Sequence, residues 1–219
     1  MSDDHAIPPS PSAADYAGEV DRALIPDVET PFDLLAQWLA EARESEPNDG
    51  NAMTLATVDD SGMPDARMVL LKGVSPDGLD FYTNYDSTKG QQLDQSGKAA
   101  LCFHWKSLRR QVRVRGTIAR VSAETSDTYF SRRAAQSRIS AIASDQSQPL
   151  SERSIFETRI AELSSIYGDD DDIPRPENWG GYRLFPLEVE FWQDQAFRMH
   201  DRLRLYREGA VWRSVRLYP

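Results

Sequence analysis

Alternating apolar and polar side chains predict that most of this chain forms short strands. Residues 109–121 alternate most regularly: Val112 and Val114 share one face, and Gln111 and Arg113 share the other. A period of two places successive side chains on opposite faces of a strand. By this pattern and by turn residues, strands are predicted at residues 52–58, 66–74, 79–84, 99–105, 109–121, 182–193, 196–207 and 211–217.

Helical spacing predicts further segments between these strands. Thr30-Pro31 is a favourable helix start, and Phe32, Leu35 and Trp38 then recur at helical spacing to about residue 45. Other helices are predicted from Ser87 to Gly97 and over residues 123–132, 136–143 and 151–167. Short turns between strands, with helices inserted, are typical of a small antiparallel barrel with helical additions. The predicted fold class is therefore mainly β with added helices.

Composition separates an N-terminal arm from the rest of the chain. Residues 1–28 are rich in Pro, Ser, Ala and Asp and show no period, which predicts a flexible acidic arm before a folded domain at 29–219. The formal net charge of −10 is unevenly spread: residues 1–66 hold 15 acidic and 2 basic side chains, whereas residues 67–219 hold 20 and 23. The main domain is therefore mildly basic.

Several classes of protein are disfavoured by composition. No apolar run approaches the roughly 18 residues that a membrane helix needs, and the N-terminus does not resemble a secretory signal. A single cysteine, Cys102, suits a reducing compartment. The three histidines are far apart in the sequence and predict no metal site. We expect a cytoplasmic protein with no membrane partner.

Arg67 and Lys72 are the first candidate site residues. They lie five positions apart on one predicted strand, so their side chains are expected on opposite faces. A buried unpaired charge is costly, which favours an anionic ligand at one or both. The alternative is two exposed charges that flank an edge strand.

A second candidate lies on the predicted strand 196–207. Arg198, His200 and Arg202 are expected on one face, and the residues between them are mostly apolar along this strand, with Asp201 as the exception. Neighbouring like charges repel, so this arrangement favours a neutral imidazole or an anionic partner. A solvated face of the barrel would show the same pattern.

A third candidate combines two hydroxyls and a guanidinium. Tyr129, Arg133 and Ser137 are spaced by four residues and would share one face of a continuous helix. Several converging donors of this kind could hold a phosphate.

These features together resemble the pyridoxamine 5′-phosphate oxidase family. The resemblance runs from about residue 50 to the C-terminus and follows the order of the family's motifs. The matching residues are Arg67-Met68-Val69-Leu70-Leu71-Lys72, Phe81-Tyr82-Thr83-Asn84, Ser87, Lys89, Phe103, Trp105, Arg110-Gln111-Val112, Tyr129-Phe130, Arg133, Ser137, Gln146-Ser147, Trp179-Gly180-Gly181, Glu190-Phe191-Trp192-Gln193, Arg198-Met199-His200-Asp201-Arg202 and Arg216-Leu217.

The resemblance implies a split (Greek-key) antiparallel β-barrel that forms a homodimer, with FMN in the groove between the subunits. The residues implied to bind FMN are Arg67, Met68, Val69, Leu70, Leu71, Lys72, Tyr82, Thr83, Thr88, Lys89, Gln111, Gln146, Ser147, Trp192 and Arg202. Those implied to bind the substrate are Lys72, Tyr129, Arg133, Ser137, Arg198, Met199 and His200, with Arg198 and His200 as catalytic residues.

The implied activity is the oxidation of pyridoxamine and pyridoxine 5′-phosphates to pyridoxal 5′-phosphate. A hydride would pass to FMN, and oxygen would reoxidise the flavin to give hydrogen peroxide. On this basis Arg198 would orient and polarise the substrate ring, and His200 would bond its polar substituents.

The chain departs from the family pattern at a few positions. Asp194-Gln195 stand where the family usually has Gly-Gly, which makes the course of that turn uncertain. Thr88 replaces a common basic residue, so the FMN phosphate would lose one contact, and Ala134 replaces a usual proline. Near Asp15-Tyr16 the arm lacks the arginine that the family often brings over the substrate.

Three alternatives stay open at this point. An FMN oxidoreductase of the same fold could act on another substrate, such as a phenazine precursor. A non-catalytic protein could store flavin or pyridoxal phosphate. A nucleic-acid-binding barrel would explain the basic strands, although the acidic arm and the absence of a concentrated Lys/Arg patch disfavour it, so no nucleic-acid partner is expected.

Overall fold

The computed structural model describes residues 22–168 and 172–219. Its strands are β1 (Ala52–Val58), β2 (Pro64–Leu70), β3 (Gly73–Ser75), β4 (Gly78–Asn84), β5 (Lys98–Trp105), β6 (Arg110–Arg120), β7 (Trp179–Gln193), β8 (Asp201–Glu208) and β9 (Val211–Arg216). Its helices are α1 (Phe32–Ser45), α2 (Thr88–Ser96), α3 (Ala123–Ser131), α4 (Ala135–Ala143) and α5 (Arg153–Tyr167). Among the described residues no helix is long and apolar enough to cross a membrane.

The strands form one antiparallel sheet in the order β2-β1-β5-β6-β7-β4-β3, with β8 added beside β7 and β9 beside β8. The 15-residue β7 organises this arrangement. Its first half pairs with β4 and its second half pairs with β8, while β6 follows it on the other side. The predicted strand-rich antiparallel architecture is confirmed.

The main core lies on the inner face of the sheet, beneath α1. Alternate residues of β1 and β5, including Leu55 and Phe103, are fully buried. Trp38 of α1 packs edge-on against Phe191 and Trp105, with ring centroids 5.2 and 6.4 Å apart. The apolar stripe predicted for residues 32–45 is therefore the face that anchors this helix.

A smaller apolar cluster holds the helical insertion against the end of β7. Phe130 of α3, Ile139 of α4 and Trp179 of β7 are buried together with Ile173. Tyr82 and Tyr129 pack against the same cluster. This second core fixes α3 and α4 beside the sheet and shapes the cavity described below.

The strand predicted at 66–74 is divided into two. β2 ends at Leu70 and β3 begins at Gly73. Leu71 turns into the core and donates its N–H to the carbonyl of Asn51, whereas the N–H of Lys72 bonds the carbonyl of Asp80. Lys72 therefore lies between two strands, and the prediction that it shares one strand with Arg67 is wrong.

The strand predicted at 196–207 begins only at Asp201. A short 3₁₀ turn covers Ala196–Arg198, and Phe197 and Arg198 have positive φ angles of 55° and 61°. A left-handed backbone cannot continue a strand. The prediction that Arg198 and His200 share a strand face with Arg202 is therefore wrong.

The break predicted between the helices at 123–132 and 136–143 is present, so Tyr129, Arg133 and Ser137 do not share one face of a continuous helix. α3 ends at Ser131 and α4 begins at Ala135. The N–H groups of Arg132 and Arg133 bond carbonyls only three residues back, and Ala134 has an extended ψ of 140°. These tight bonds end one helix and redirect the chain into the next.

Part of the predicted flexible arm is packed on the domain. Ile25 is 2% exposed, and its N–H donates to Asp201 Oδ2 at 2.6 Å. Arg216 bonds both the carbonyl of Ile25 and the carboxylate of Asp27. Residues 22–28 thus lie against β8 and β9, while residues 1–21 of the predicted arm are outside the described range.

Candidate active site

Two cations and a glutamine form a cationic cluster, which we define as Arg67, Lys89 and Gln146. Lys89 is near the start of α2, whose N-cap Ser87 accepts the N–H of Gly90. The Lys89 ammonium donates to Gln146 Oε1 at 2.7 Å and to Ser87 Oγ at 3.2 Å. A helix N-terminus beside two cations favours an anion.

Arg67 reaches this region from β2. Its guanidinium donates to Thr57 Oγ1 at 2.5 Å and to Gln92 Oε1 at 3.1 Å, and it pairs with Asp65. Four donors of the guanidinium fork are held in a fixed orientation by these partners and by the carbonyl of Leu55. The side chain is therefore preorganised rather than free to move.

The electrostatics of the cationic cluster fit a phosphate. Burial lowers the pKa of the Lys89 ammonium, and the positive charge of Arg67 lowers it further, while Asp65 acts in the opposite direction. A phosphate placed between the two cations would act against both effects, because its negative charge favours the protonated ammonium. The residues present thus fit the phosphate of a nucleotide cofactor.

A cavity of about 410 Å³ adjoins this cluster. Gln146 belongs to both, since it bonds Lys89 and also lines the cavity. The lining is mostly polar and comes from β4, α4, the loop after α4 and the start of β7. The lining residues are Asn84, Arg133, Gln136, Ser137, Ser140, Ala141, Ser144, Gln146 and Trp179.

Arg133 is the cation of this cavity. Its guanidinium lies over the Trp179 ring, 4.7 Å from the centroid, and one buried terminal nitrogen lacks a hydrogen-bond partner within the described structure. Burial lowers its pKa. A buried donor without a partner is costly, so an anionic ligand accepting from it would stabilise the site. Ser137 lines the same cavity despite the helix break.

Three aromatic rings pack together beside this cavity, and one of them, Trp179, lines it. The Tyr82 and Tyr129 rings are 3.8 Å apart, and the Trp179 ring lies 5.7 Å from Tyr82 and 6.2 Å from Tyr129. Burial raises the pKa of both tyrosine hydroxyls. Gly181 permits this packing, because a Cβ there would lie 2.7 Å from the Tyr82 ring.

A second group of predicted residues lies on β6, β7, β8 and the turn before β8, and we define it as the barrel-face cluster: Gln111, Trp192, Arg202 and His200. Gln111 pairs with Trp192, and Trp192 pairs with Arg202, in adjacent strands. The His200 ring is 4.5 Å from the Trp192 ring. Arg202 donates twice to Glu190, so its charge is paired within the chain.

Of the other predicted residues, Thr83 contacts the cationic cluster and Lys72 lies apart from it. Lys72 is exposed and lines a different cavity, of about 350 Å³, so it does not share the Arg133 cavity. Thr83 is buried and donates to Gln146 at 3.3 Å, whereas Leu71 is in the core. The remaining predicted residues are exposed or half-buried: Met68, Val69, Leu70, Thr88, Ser147, Arg198 and Met199.

Sequence reasoning missed several residues that support the site. Gln92 and Asp65 orient Arg67, and Asn84 and Gln136 line the cavity. The sequence carries no local signal for Gln92, since its role depends on how α2 packs against β1 and β2. Asp194 was noted only as a departure, yet it contacts His200.

Family models match almost the whole described domain. The model described as pyridoxamine 5′-phosphate oxidase matches residues 39–167. The model described as the pyridoxine 5′-phosphate oxidase C-terminal dimerisation region matches residues 179–219, which include β7, β8 and β9. The chain therefore carries the dimerisation region of this family, which agrees with the predicted homodimer.

Known relatives align over the full chain. The chain is 67% identical over 214 residues to the pyridoxine/pyridoxamine 5′-phosphate oxidase of Hyphomonas neptunium, covering 97% of this chain and 98% of the relative. It is 53% identical to the enzyme of that name from Maricaulis maris, covering 100% of both.

Solved structures support the same fold. PhzG from Burkholderia lata, determined with tetrahydrophenazine-1-carboxylic acid, is 30% identical with a TM-score of 0.83, covering 88% of this chain and 94% of its own. An FMN-binding protein from Nostoc punctiforme is 20% identical with a TM-score of 0.72, covering 88% and 100%. The predicted split-barrel fold is confirmed. From its two matching regions and its full-length relatives, this chain belongs to the pyridoxamine 5′-phosphate oxidase family.

Proposed function

We propose that this chain oxidises pyridoxamine 5′-phosphate and pyridoxine 5′-phosphate to pyridoxal 5′-phosphate, with FMN as cofactor and oxygen as electron acceptor. The observation that carries the proposal is a pair of adjoining anion sites that share Gln146. One is the cationic cluster and the other is the Arg133 cavity. An enzyme that binds a flavin nucleotide and a phosphorylated substrate next to each other needs two adjoining anion sites.

The cationic cluster would hold the FMN phosphate. Arg67 and Lys89 supply charge, and the N-terminus of α2 adds its dipole. Residues assigned along the rest of the cofactor are Met68, Val69, Leu70, Leu71, Lys72, Tyr82, Thr83, Thr88, Gln111, Gln146, Ser147, Trp192 and Arg202. Exposed Met68 and Leu70 are suitable for apolar contact with a flavin ring, since neither is needed by the core.

The substrate phosphate would bind in the Arg133 cavity. Arg133 offers a buried donor without a partner, and Ser137 adds a hydroxyl on the same wall. Tyr129 is held by its stack on Tyr82. The resemblance also assigns Lys72 to this set, although within one protomer it lines a different cavity.

The substrate ring would meet Arg198, Met199 and His200 from the partner protomer. These residues belong to the region that matches the family's dimerisation model. Arg198 and Met199 are exposed in one protomer, as residues that serve a neighbouring subunit would be. A symmetric dimer would then contain two equivalent sites, each built from both chains.

Held by Arg67 and Lys89, FMN would supply the oxidation chemistry, with the hydride coming from the substrate's 4′-carbon, oxygen as the final electron acceptor and hydrogen peroxide as the by-product. The protein's own residues bind and orient. Arg133 and Ser137 fix the phosphate, so the 4′-carbon has a defined position. Arg198 and His200 hold the polar substituents of the ring and stabilise charge that develops during transfer.

A cytoplasmic location stays a prediction.

The direct test is to purify the protein, record its visible spectrum and add each vitamer in air. We expect a flavin spectrum, formation of the aldehyde and one hydrogen peroxide per aldehyde. Tetrahydrophenazine-1-carboxylic acid serves as the comparison substrate. Oxidation of that compound without oxidation of either vitamer would contradict the proposed substrate, and bound flavin without any turnover would indicate a storage protein.

A further inference from the structure

One ring nitrogen of His200 lies between two competing partners. Its Nδ1 is 3.1 Å from Asp194 Oδ1 and 3.3 Å from the backbone nitrogen of Gln195. The carboxylate requires a proton on Nδ1, whereas the amide N–H requires a lone pair there. In a neutral imidazole only one of these bonds can form, and the choice decides which nitrogen carries the proton.

The geometry favours the carboxylate. A hydrogen bond to a charged acceptor is about twice as strong as one between neutral groups. The amide of Gln195 is also at the long end of ordinary hydrogen-bond distances. A carboxylate facing an imidazole lone pair at 3.1 Å would be repelled, so the Nδ1–H form relieves a conflict that the other form would create.

Asp194 is held in place by the rest of the structure. Its N–H bonds the carbonyl of Arg109, and the Arg109 guanidinium donates to its Oδ2 at 2.7 Å. The Arg22 guanidinium lies 3.7 Å from the same oxygen. The carboxylate side chain is 15% exposed. With Oδ2 occupied by Arg109, Oδ1 is left to face His200.

We propose that Asp194 is a positioning residue that keeps the proton of neutral His200 on Nδ1 and leaves Nε2 as a hydrogen-bond acceptor. This rests on the proposed function, in which His200 meets the polar groups of the substrate ring. A hydroxyl or ammonium on that ring could then donate to Nε2. The departure from Gly-Gly at 194–195 thus acts on the orientation and tautomer of His200.

The tautomer can be read without turnover. In protein labelled with ¹⁵N-histidine, two-bond ¹H–¹⁵N spectra up to about pH 9 distinguish Nδ1–H from Nε2–H in the neutral ring. A His200→Gln variant identifies the signals. We expect Nδ1–H in the wild type and Nε2–H in Asp194→Ala, where the backbone amide of Gln195 is the partner of Nδ1 that remains in the described structure. Asp60→Ala removes an exposed carboxylate and should leave the spectrum unchanged.

An Nε2–H signal in the wild type overturns the proposal, whether or not Asp194→Ala folds. Retention of Nδ1–H in Asp194→Ala overturns it as well. In activity assays we expect kcat to fall about tenfold in Asp194→Ala with flavin content unchanged, as for one lost hydrogen bond. Failure of the wild type to oxidise either vitamer would refute the proposed function alone, because the tautomer is measured separately.

Discussion

Cations that the protein does not fully neutralise define the site at the level of single residues. Arg183 makes two 2.7 Å bonds to Asp80, and Arg202 is similarly satisfied by Glu190. Lys89 instead bonds a glutamine and a serine, and Arg133 keeps a buried nitrogen without a partner in the described structure. An added anion would therefore stabilise the protein most if it bound beside Lys89 or Arg133.

Replacing Arg133 by Met tests the substrate phosphate site. The variant keeps an apolar side chain of similar length over Trp179 but loses the charged donor. We expect KM for pyridoxamine 5′-phosphate to rise by about tenfold to hundredfold, as for a lost charge-assisted bond. Flavin content, measured by visible absorbance, should stay unchanged. The exposed neighbour Arg132, replaced by Met, is the matched control. Equal KM values for both variants would contradict the assignment.

The pH dependence of FMN binding tests Lys89. Because burial and Arg67 lower the pKa of Lys89, the free protein loses this proton at a lower pH than an ordinary lysine. FMN affinity should therefore fall as the pH rises toward the usual lysine range, with a proton taken up on binding. Quenching of FMN fluorescence by the apoprotein measures the affinity.

In Lys89→Met the affinity should be lower and this alkaline dependence should disappear. Lys106→Met removes an exposed charge that is not part of the cationic cluster, and its FMN affinity should depend on pH as in the wild type. If the FMN affinity of Lys89→Met still fell with rising pH as steeply as that of the wild type, a group other than Lys89 would be responsible for the pH dependence.

At the level of elements, the loop between β7 and β8 joins the N-terminal segment to the barrel-face cluster. The Gln195 side chain makes two reciprocal bonds to the backbone of Arg22, at 3.0 and 2.8 Å. Its own backbone lies beside the His200 ring. The loop thus connects residues 22–28 to the part of the chain that carries His200.

Gln195→Ala should loosen this segment without unfolding the domain. Two lost hydrogen bonds of about 1 kcal/mol each would speed amide exchange at residues 23–27 by roughly tenfold or more. Hydrogen exchange followed by mass spectrometry measures this, with the strands of the main core as internal reference. Gln148→Ala, at an exposed position, is the control. Equal exchange in both variants would mean that other contacts hold the segment.

Elements with local signals could be predicted from the sequence. Ser87 caps α2, and Gly97 ends it with a φ of 61°, as the residue types indicate. The turn after β7 could not be predicted from the sequence. Arg198 and His200 alternate like strand residues, whereas the backbone at Phe197 and Arg198 is left-handed. The alternation of polar and apolar side chains along the sequence carries no information about the backbone φ angle.

The candidate site residues were proposed from the resemblance, whereas their contacts could not be. Gln146 meets Lys89 across 57 positions of sequence, and Arg202 meets Glu190 through the pairing of β7 and β8. Such contacts depend on long-range packing and register, which no local pattern encodes. The separation of Lys72 from the Arg133 cavity likewise follows from the break between β2 and β3.

For the whole molecule, the cationic cluster and the barrel-face cluster lie on different elements of one protomer. The cationic cluster uses β2, α2 and the loop after α4, and the barrel-face cluster uses β6, β7 and the residues up to β8. Since the second lies largely in the family's dimerisation region, we expect each site to combine the two clusters across the dimer.

The decisive measurement uses mixed dimers of Arg133→Met and Arg198→Ala protomers, isolated through two different affinity tags. Assays use pyridoxamine 5′-phosphate well below the KM of the Arg133→Met variant. One site of a mixed dimer carries both lesions and the other carries none, so we predict about half the wild-type activity, whereas each parent homodimer is nearly inactive. Mixed dimers that are no more active than their parents would contradict a site shared between protomers.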